Sequence, residues 1–288
     1  MKLKNDKKIL IVGLGLLGGS YARALTEKGF YVSAITRSDS SIEYALREGI
    51  IAAGSTKIDE KLIGEADIIV FALYPHIFKE WVKENGHLIK KGAILTDVTG
   101  VKGNIVYEIQ ALLPEGIEFI SAHPMAGREV YGVENSTTAI FNGANYIVVP
   151  TEKNSAEAIE LCSDLGWTLG FADVSVLTPE RHDEMIAFLS QLTHCIAVSL
   201  MCASSDPDLT RYTGDSFRDL TRIARINENM WSELFLENRE ALLLQMDAFR
   251  ESFDKMYASV RDRDEKEMKK MMRLSTERRA LFDKQQRG

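Results

Sequence analysis

At 288 residues the chain exceeds one typical domain, and its 45% hydrophobic and 27% charged residues are the balance of a globular protein with a buried core. A formal net charge of −7 provides no basic field, so nucleic acid is not an expected partner. Cys162, Cys195 and Cys202 lack Cys-x-x-Cys spacing, and no His or Cys residues stand at metal-ligand intervals, which speaks against a disulfide framework and against a metal.

The N-terminus, Met1 to Lys8, is charged and precedes only a short apolar run, unlike a signal peptide. No other run is expected to reach the length that spans a bilayer, so the reading is cytoplasmic with no membrane partner. Lys8 to Val12 is a short continuous apolar run, as in a strand buried on both faces. After a glycine-rich loop the pattern predicts a helix over 20–28, a strand over 31–35 and a helix over 40–48. Strands over 68–73 and 93–97 follow, with helices over 78–89 and 105–112 between and after them. The run 117–120 is the next strand, then 145–149, a helix over 155–165 and a last strand over 171–176.

Such alternation argues for a doubly wound, Rossmann-type parallel sheet over residues 1–177. Thr178-Pro179 supplies a cap hydroxyl and a proline at the first helical position, and no strand pattern appears beyond it. Residues 178–288 are therefore expected to form an all-helical domain. Leu242, Met246, Phe249, Phe253, Met256 and Val260 recur at steps of 4, 3, 4, 3 and 4, a heptad seam that suits an intrachain bundle core and, by its length and Phe/Met content, equally a homodimer through this domain. The alternating charges from Arg261 to Lys270 read as a solvated helix face.

The loop Gly13-Leu14-Gly15-Leu16-Leu17-Gly18 follows the first strand and opens the first helix, the context in which G-x-G-x-x-G marks dinucleotide binding. Gly13 allows the tight turn, Gly15 admits the pyrophosphate to the backbone, and Gly18 lets helix and strand pack closely. The helix N-terminus then offers N–H groups and partial positive charge to phosphate. Leu17, Ala72, Leu73 and Thr99 complete the expected cofactor groove. Thr36, 23 positions after Gly13, stands where an NAD-selective site usually has an acid, and Arg37 follows it. That pair admits a 2′-phosphate, yet Arg37 can equally stack on adenine with NAD bound. NAD is slightly favoured, and NADP stays open.

His123 lies in Ser121-Ala122-His123-Pro124-Met125-Ala126-Gly127, directly after the strand-like run 117–120. A histidine at the carboxyl end of such a strand, with proline ending the pairing, faces the ligand crevice of a doubly wound sheet. Its ordinary pKa of about 6.5 leaves it largely neutral at pH 7, as a general base requires.

Five stretches occur in order along the chain: the glycine loop, Asp97-Val98-Thr99-Gly100-Val101-Lys102, the His-Pro-Met-Ala-Gly stretch, His182 to His194, and Phe217-Arg218-Asp219-Leu220-Thr221-Arg222-Ile223-Ala224 with Met230-Trp231. Together they resemble the prephenate/arogenate dehydrogenase family of tyrosine biosynthesis, over nearly the whole chain. The resemblance implies NAD(P)-dependent oxidative decarboxylation of prephenate, or of arogenate, with His123 as the catalytic base and a small-molecule substrate. It also implies that residues 178–288 bind substrate and dimerise, and that Arg222 binds a carboxylate through its planar fork. Ser190, Gln191 and His194, spaced to share one helix patch, are expected to line the substrate pocket. His182, next to the helix cap, reads as structural, and His76 and His87 as surface residues.

The chain departs from the family pattern in places. Thr99-Gly100 replaces Gly-Ser, so a serine expected beside His123 is missing and Thr99 is the candidate substitute. Arg128 stands where a small hydroxyl residue is common, adding a cation near the substrate. Asp215 replaces a frequent glycine, a charge that would favour the amine of arogenate. A β-hydroxyacid-type dehydrogenase shares the architecture but needs a lysine on the helical domain, and residues 181–205 contain none.

Overall fold

The computed structural model describes residues 3–128 and 130–282. The described residues fall into two compact units, divided between Asn238 and Arg239.

The first unit is built on a six-stranded parallel sheet with strand order β3-β2-β1-β4-β5-β6. Along the chain these are β1 (Lys8–Val12), α1 (Leu16–Glu27), β2 (Tyr31–Ile35), α2 (Asp39–Arg47), β3 (Ala53–Ser55), α3 (Glu60–Glu65) and β4 (Ile68–Phe71). Helix α4 (Pro75–Asn85), β5 (Ile94–Asp97), α5 (Gly103–Leu112) and β6 (Glu118–Phe119) complete the sheet and its crossovers. Alternate side chains of β1 feed opposite cores: Ile9 and Ile11 enter one with Val70, while Leu10 and Val12 enter the other with Ile69 and Phe71. A strand covered on both faces must be apolar at every position, which is why β1 and β4 read as unbroken hydrophobic runs. Strand β1 pairs with β2 on one side and β4 on the other. The order therefore reverses at β1, and the glycine loop leaves the sheet at this switch point.

The expected single sheet is corrected beyond β6. Strands β7 (Ser121–Pro124), β8 (Asn145–Val149) and β9 (Asp173–Val176) form a separate three-stranded sheet, with β7 antiparallel to β8 and β8 parallel to β9. Helix α6 (Ala156–Leu169) connects β8 to β9. His123 is consequently inside a strand rather than at the end of one, in register with Ile147, and Pro124 still stands opposite Tyr146. Proline lacks only its N–H, so it can occupy a strand's last pair without ending it earlier. Strand β3 and helix α3 were not expected. Three half-buried residues around Gly54 show no hydrophobic period to detect.

Thr178 caps the next helix, accepting a hydrogen bond from the Arg181 N–H at 3.2 Å. Helix α7 (Pro179–Ile186) continues through a π-helical stretch, Ala187–Leu192, into α8 (Thr193–Cys202). Together they make 24 residues with a mean hydropathy of 1.7 in the most apolar window, long and apolar enough to cross a membrane by length and composition. That corrects the expectation that no such run exists. Yet His182, Asp183 and Gln191 on this helix are buried and hydrogen-bonded inside the unit. Helix α9 (Asp215–Thr221), a 3₁₀ turn at Arg222–Ala224 and α10 (Glu228–Glu237) complete the unit. The second unit is a pair of helices, α11 (Arg239–Arg261) and α12 (Glu265–Ala280), with Asp264 capping α12 through the Glu267 N–H.

Candidate active site

The glycine loop has the backbone that its sequence requires. Gly13 has φ +97°, and a Cβ there would lie 2.4 Å from the Ala72 carbonyl oxygen. A Cβ on Gly18 would lie 1.9 Å from the Gly13 oxygen and 3.1 Å from the Ala72 Cβ. A Cβ on Gly15 would meet nothing within 4 Å, so that backbone borders open space. Gly15 is also the N-cap of α1, and no side chain caps the helix. The first N–H groups of α1 are thus left to a ligand, as a phosphate cradle requires. Leu17 sits half-buried in the first turn, and Leu73 packs against Gly13. Thr36 is half-buried with its N–H on the Ser55 carbonyl, while Arg37 is exposed. These residues fit a dinucleotide, and the 2′ position of its ribose would meet no carboxylate at residue 36.

Strand β5 delivers Asp97 to the junction of the two sheets, fully buried. Asp97 Oδ1 accepts from Ser121 Oγ at 2.5 Å and from the Ala122 N–H at 3.0 Å. Its other oxygen accepts from the Thr99 N–H, the Thr99 hydroxyl and the Lys102 ammonium, the last at 2.9 Å. Lys102 also donates to the Ala122 carbonyl at 2.7 Å. Burial pulls the Lys102 ammonium down from its ordinary value and Asp97 opposes it. A buried charge pair persists only with its remaining hydrogen bonds made, and here the surplus ones clamp the backbone of β7 on both sides of Ala122. Thr99 is correspondingly corrected: its hydroxyl is buried and donates to Asp97, so it does not replace the missing serine.

His123 follows this clamp and is half-buried. Its Nδ1 lies 2.8 Å from Nε2 of His182, whose Nδ1 lies 2.7 Å from Asp183 Oδ1. Asp183 in turn accepts from the Lys102 N–H at 2.9 Å and the Gly103 N–H at 2.7 Å, at the start of α5. The opposite nitrogen of His123, Nε2, faces Gly100, where a Cβ would stand 4.0 Å away. Burial above all, then the neighbouring His182 and Lys102, hold the His123 imidazole well below its ordinary pKa. His182 is also lowered, chiefly by burial and against the pull of Asp183. The sequence reading gave His182 a structural place and missed its contact with His123. A neighbouring acid, Asp183, was the available signal, but pairing across 59 positions is a product of the fold.

The helical part divides the expected substrate residues. His194 stacks on Trp231, ring centroids 3.7 Å apart, and its Nδ1 lies 2.8 Å from the Ser190 carbonyl oxygen. The turn that begins at Arg222 packs against α8, with Arg222 exposed. Gln191 is a correction: it is 1% exposed, donates to the Leu234 carbonyl at 2.8 Å and accepts from Asn238. Adjacent helix residues do not share a face, and Gln191 points to the interior while Ser190 and His194, four positions apart, stay half-buried. Arg128 is exposed beyond β7, and Asp215, at the start of α9, accepts from Arg218 on its own helix at 2.7 Å.

Comparison with known proteins gives this geometry a family. The model for the prephenate dehydrogenase nucleotide-binding domain matches residues 21–170, and that for the prephenate dehydrogenase dimerization domain matches residues 178–274. A prephenate dehydrogenase of Bacillus subtilis is 29% identical over 97% of this chain and 77% of its own length. The crystal structure of prephenate dehydrogenase from Aquifex aeolicus, in complex with hydroxyphenyl propionate and NAD+, superposes with a TM-score of 0.88 at 30% identity, covering 96% of this chain and 98% of that one. A Synechocystis arogenate dehydrogenase superposes with a TM-score of 0.82 at 25% identity, over 96% and 99% of the two chains. With its nucleotide-binding and its helical parts both matched, the chain belongs to the prephenate dehydrogenase family.

Proposed function

We propose that this chain oxidatively decarboxylates prephenate to 4-hydroxyphenylpyruvate with a nicotinamide dinucleotide as oxidant, NAD in preference to NADP. The observation that carries the reading is His123: a neutral imidazole clamped in place, with one nitrogen tied inside the protein and the other facing Gly100. The glycine loop and the uncapped N-terminus of α1 would hold the pyrophosphate, and the bound nicotinamide supplies a hydride acceptor.

His123 Nε2 takes the proton of the ring 4-hydroxyl as the hydride leaves its carbon. The ring carboxylate then departs as CO2, its bonding pair entering the ring, and the ring oxygen regains its proton from His123 Nε2 to give the phenol. Arg222 binds a substrate carboxylate, and Ser190 and His194 provide the polar wall beside it, with Arg128 adding a cation at the rim. Arg128 belongs to this proposal by charge alone. The cytoplasm is the proposed location, and the partner is a second copy of the chain bound through residues 178–288.

The purified chain, given NAD+ or NADP+ and prephenate, should reduce the nicotinamide and release 4-hydroxyphenylpyruvate and CO2. Arogenate is the second substrate to assay, because the Synechocystis relative is an arogenate dehydrogenase. Nucleotide binding without reduction by either substrate would overturn the proposal.

A further inference from the structure

We infer that His182 is a positioning residue for the base: together with Asp183 it fixes the tautomer of His123, leaving the lone pair on Nε2. This rests on the reading of His123 as the base. Its geometry stands independently of that reading.

An ionised carboxylate only accepts, and both Asp183 oxygens already take backbone N–H groups from Lys102 and Gly103. The 2.7 Å contact between Asp183 and His182 therefore requires the proton on His182 Nδ1. A neutral imidazole carries one proton, so His182 Nε2 is an acceptor. At 2.8 Å from that acceptor, His123 Nδ1 must donate. The His123 proton is then on Nδ1, and its lone pair is on Nε2, the nitrogen that faces Gly100. Each ring is tied by these hydrogen bonds, His123 to His182 and His182 to Asp183. His182 is fully buried, and His123 is held by the β7 backbone that Asp97 and Lys102 clamp.

The arrangement answers what the missing serine leaves open. With Gly100 beside Nε2 there is no side-chain hydroxyl at that position to orient the base, so orientation comes from the opposite nitrogen. When Nε2 takes a proton, both nitrogens of His123 become donors. The bond from Nδ1 to His182 is retained and strengthened, with Asp183 balancing the charge through His182.

The test is nitrogen-15 NMR of histidine-labelled protein, which separates the two neutral tautomers without substrate. In the wild type His123 and His182 should both carry their proton on Nδ1. His182→Leu should release the His123 tautomer and lower kcat at least about tenfold at unchanged nucleotide affinity, since a triad histidine in the wrong tautomer loses most of its activity. His182→Gln, whose amide oxygen can accept at the place of Nε2, should restore the Nδ1–H tautomer and much of kcat. A wild-type His123 with its proton on Nε2 would overturn the inference, even if both variants failed to fold. So would a His182→Leu variant with unchanged tautomer and kcat. Absence of turnover in the wild type would overturn the proposed function and leave the tautomer result to decide this inference.

Discussion

A histidine serves as a base only through an unprotonated nitrogen, and three influences keep His123 unprotonated: burial, His182 and Lys102. From the sequence, with an ordinary pKa of about 6.5, activity is expected to rise with pH through that value and a flat profile over pH 5.5–8 to count against His123. The structure corrects this. With the folded-state pKa well below 6.5, the base is already competent near neutrality, so kcat/KM should be flat there and fall only on a limb well below pH 6.5. A limb at or above 6.5 would contradict the desolvated site. The same shift acts on stability: between the two pKa values the unfolded chain binds protons that folded His123 and His182 refuse. Their contribution is complete above about pH 6.5 and declines as pH falls toward the folded-state values, which a series of melting temperatures would follow. His123→Asn should reduce kcat by roughly 10²–10⁴-fold with nucleotide affinity retained. Arg222→Ala should chiefly raise KM, and unchanged saturation by substrate would remove its assigned role.

Among the elements, the glycine loop tolerates side chains least, because the atoms nearest a Cβ at Gly13 and at Gly18 are backbone carbonyl oxygens that cannot yield. Gly18→Ala would drive a methyl to 1.9 Å from the Gly13 oxygen, so α1 must shift away from β1. The variant should lose nucleotide affinity by at least tenfold and destabilise the fold by about 1–3 kcal/mol, the usual cost of overpacking. Calorimetric titration with NAD+ and thermal unfolding would measure both. This loop was legible in the sequence because its function is local: turn, close approach and helix packing fall within six residues. Strands β1, β4 and β5 were legible for a related reason, burial on both faces leaving apolar runs. The separate sheet around β7 was not legible, since strand pairing between 121–124 and 145–149 is a long-range choice that local pattern does not encode. Gln191 fails for a different reason. Helical spacing put it beside Ser190 and His194, but its amide is taken up by the Leu234 carbonyl and Asn238, partners that only the fold brings to it. Lys102 and Asp97 stand in one short sequence motif, but only the fold shows that they clamp the strand of the base.

At the scale of the whole molecule, helix α11 carries a row of exposed apolar side chains. Along the heptad seam Leu242 is buried and Met256 half-buried, yet Phe253 is 61% and Val260 59% exposed. Leu244 and Tyr257 are exposed beside them, and the rings of Phe249 and Phe253 stack at 6.2 Å between centroids. An aromatic side chain has about 150–250 Å² to remove from water, and a contiguous row of such residues is what an interface supplies. The family model covering 178–274 is described as a dimerization domain, which agrees with a second copy as the occupant. Two copies related by a two-fold axis would bring the same seam to itself, an arrangement in which each apolar residue meets an apolar partner. Phe253→Glu would place two like charges in that contact, and a desolvated carboxylate without a cation costs far more than the lost ring. Sedimentation should therefore find the wild type dimeric at micromolar concentration and the variant monomeric, with helical circular dichroism retained. A monomeric wild type would show that the exposed seam has some other occupant.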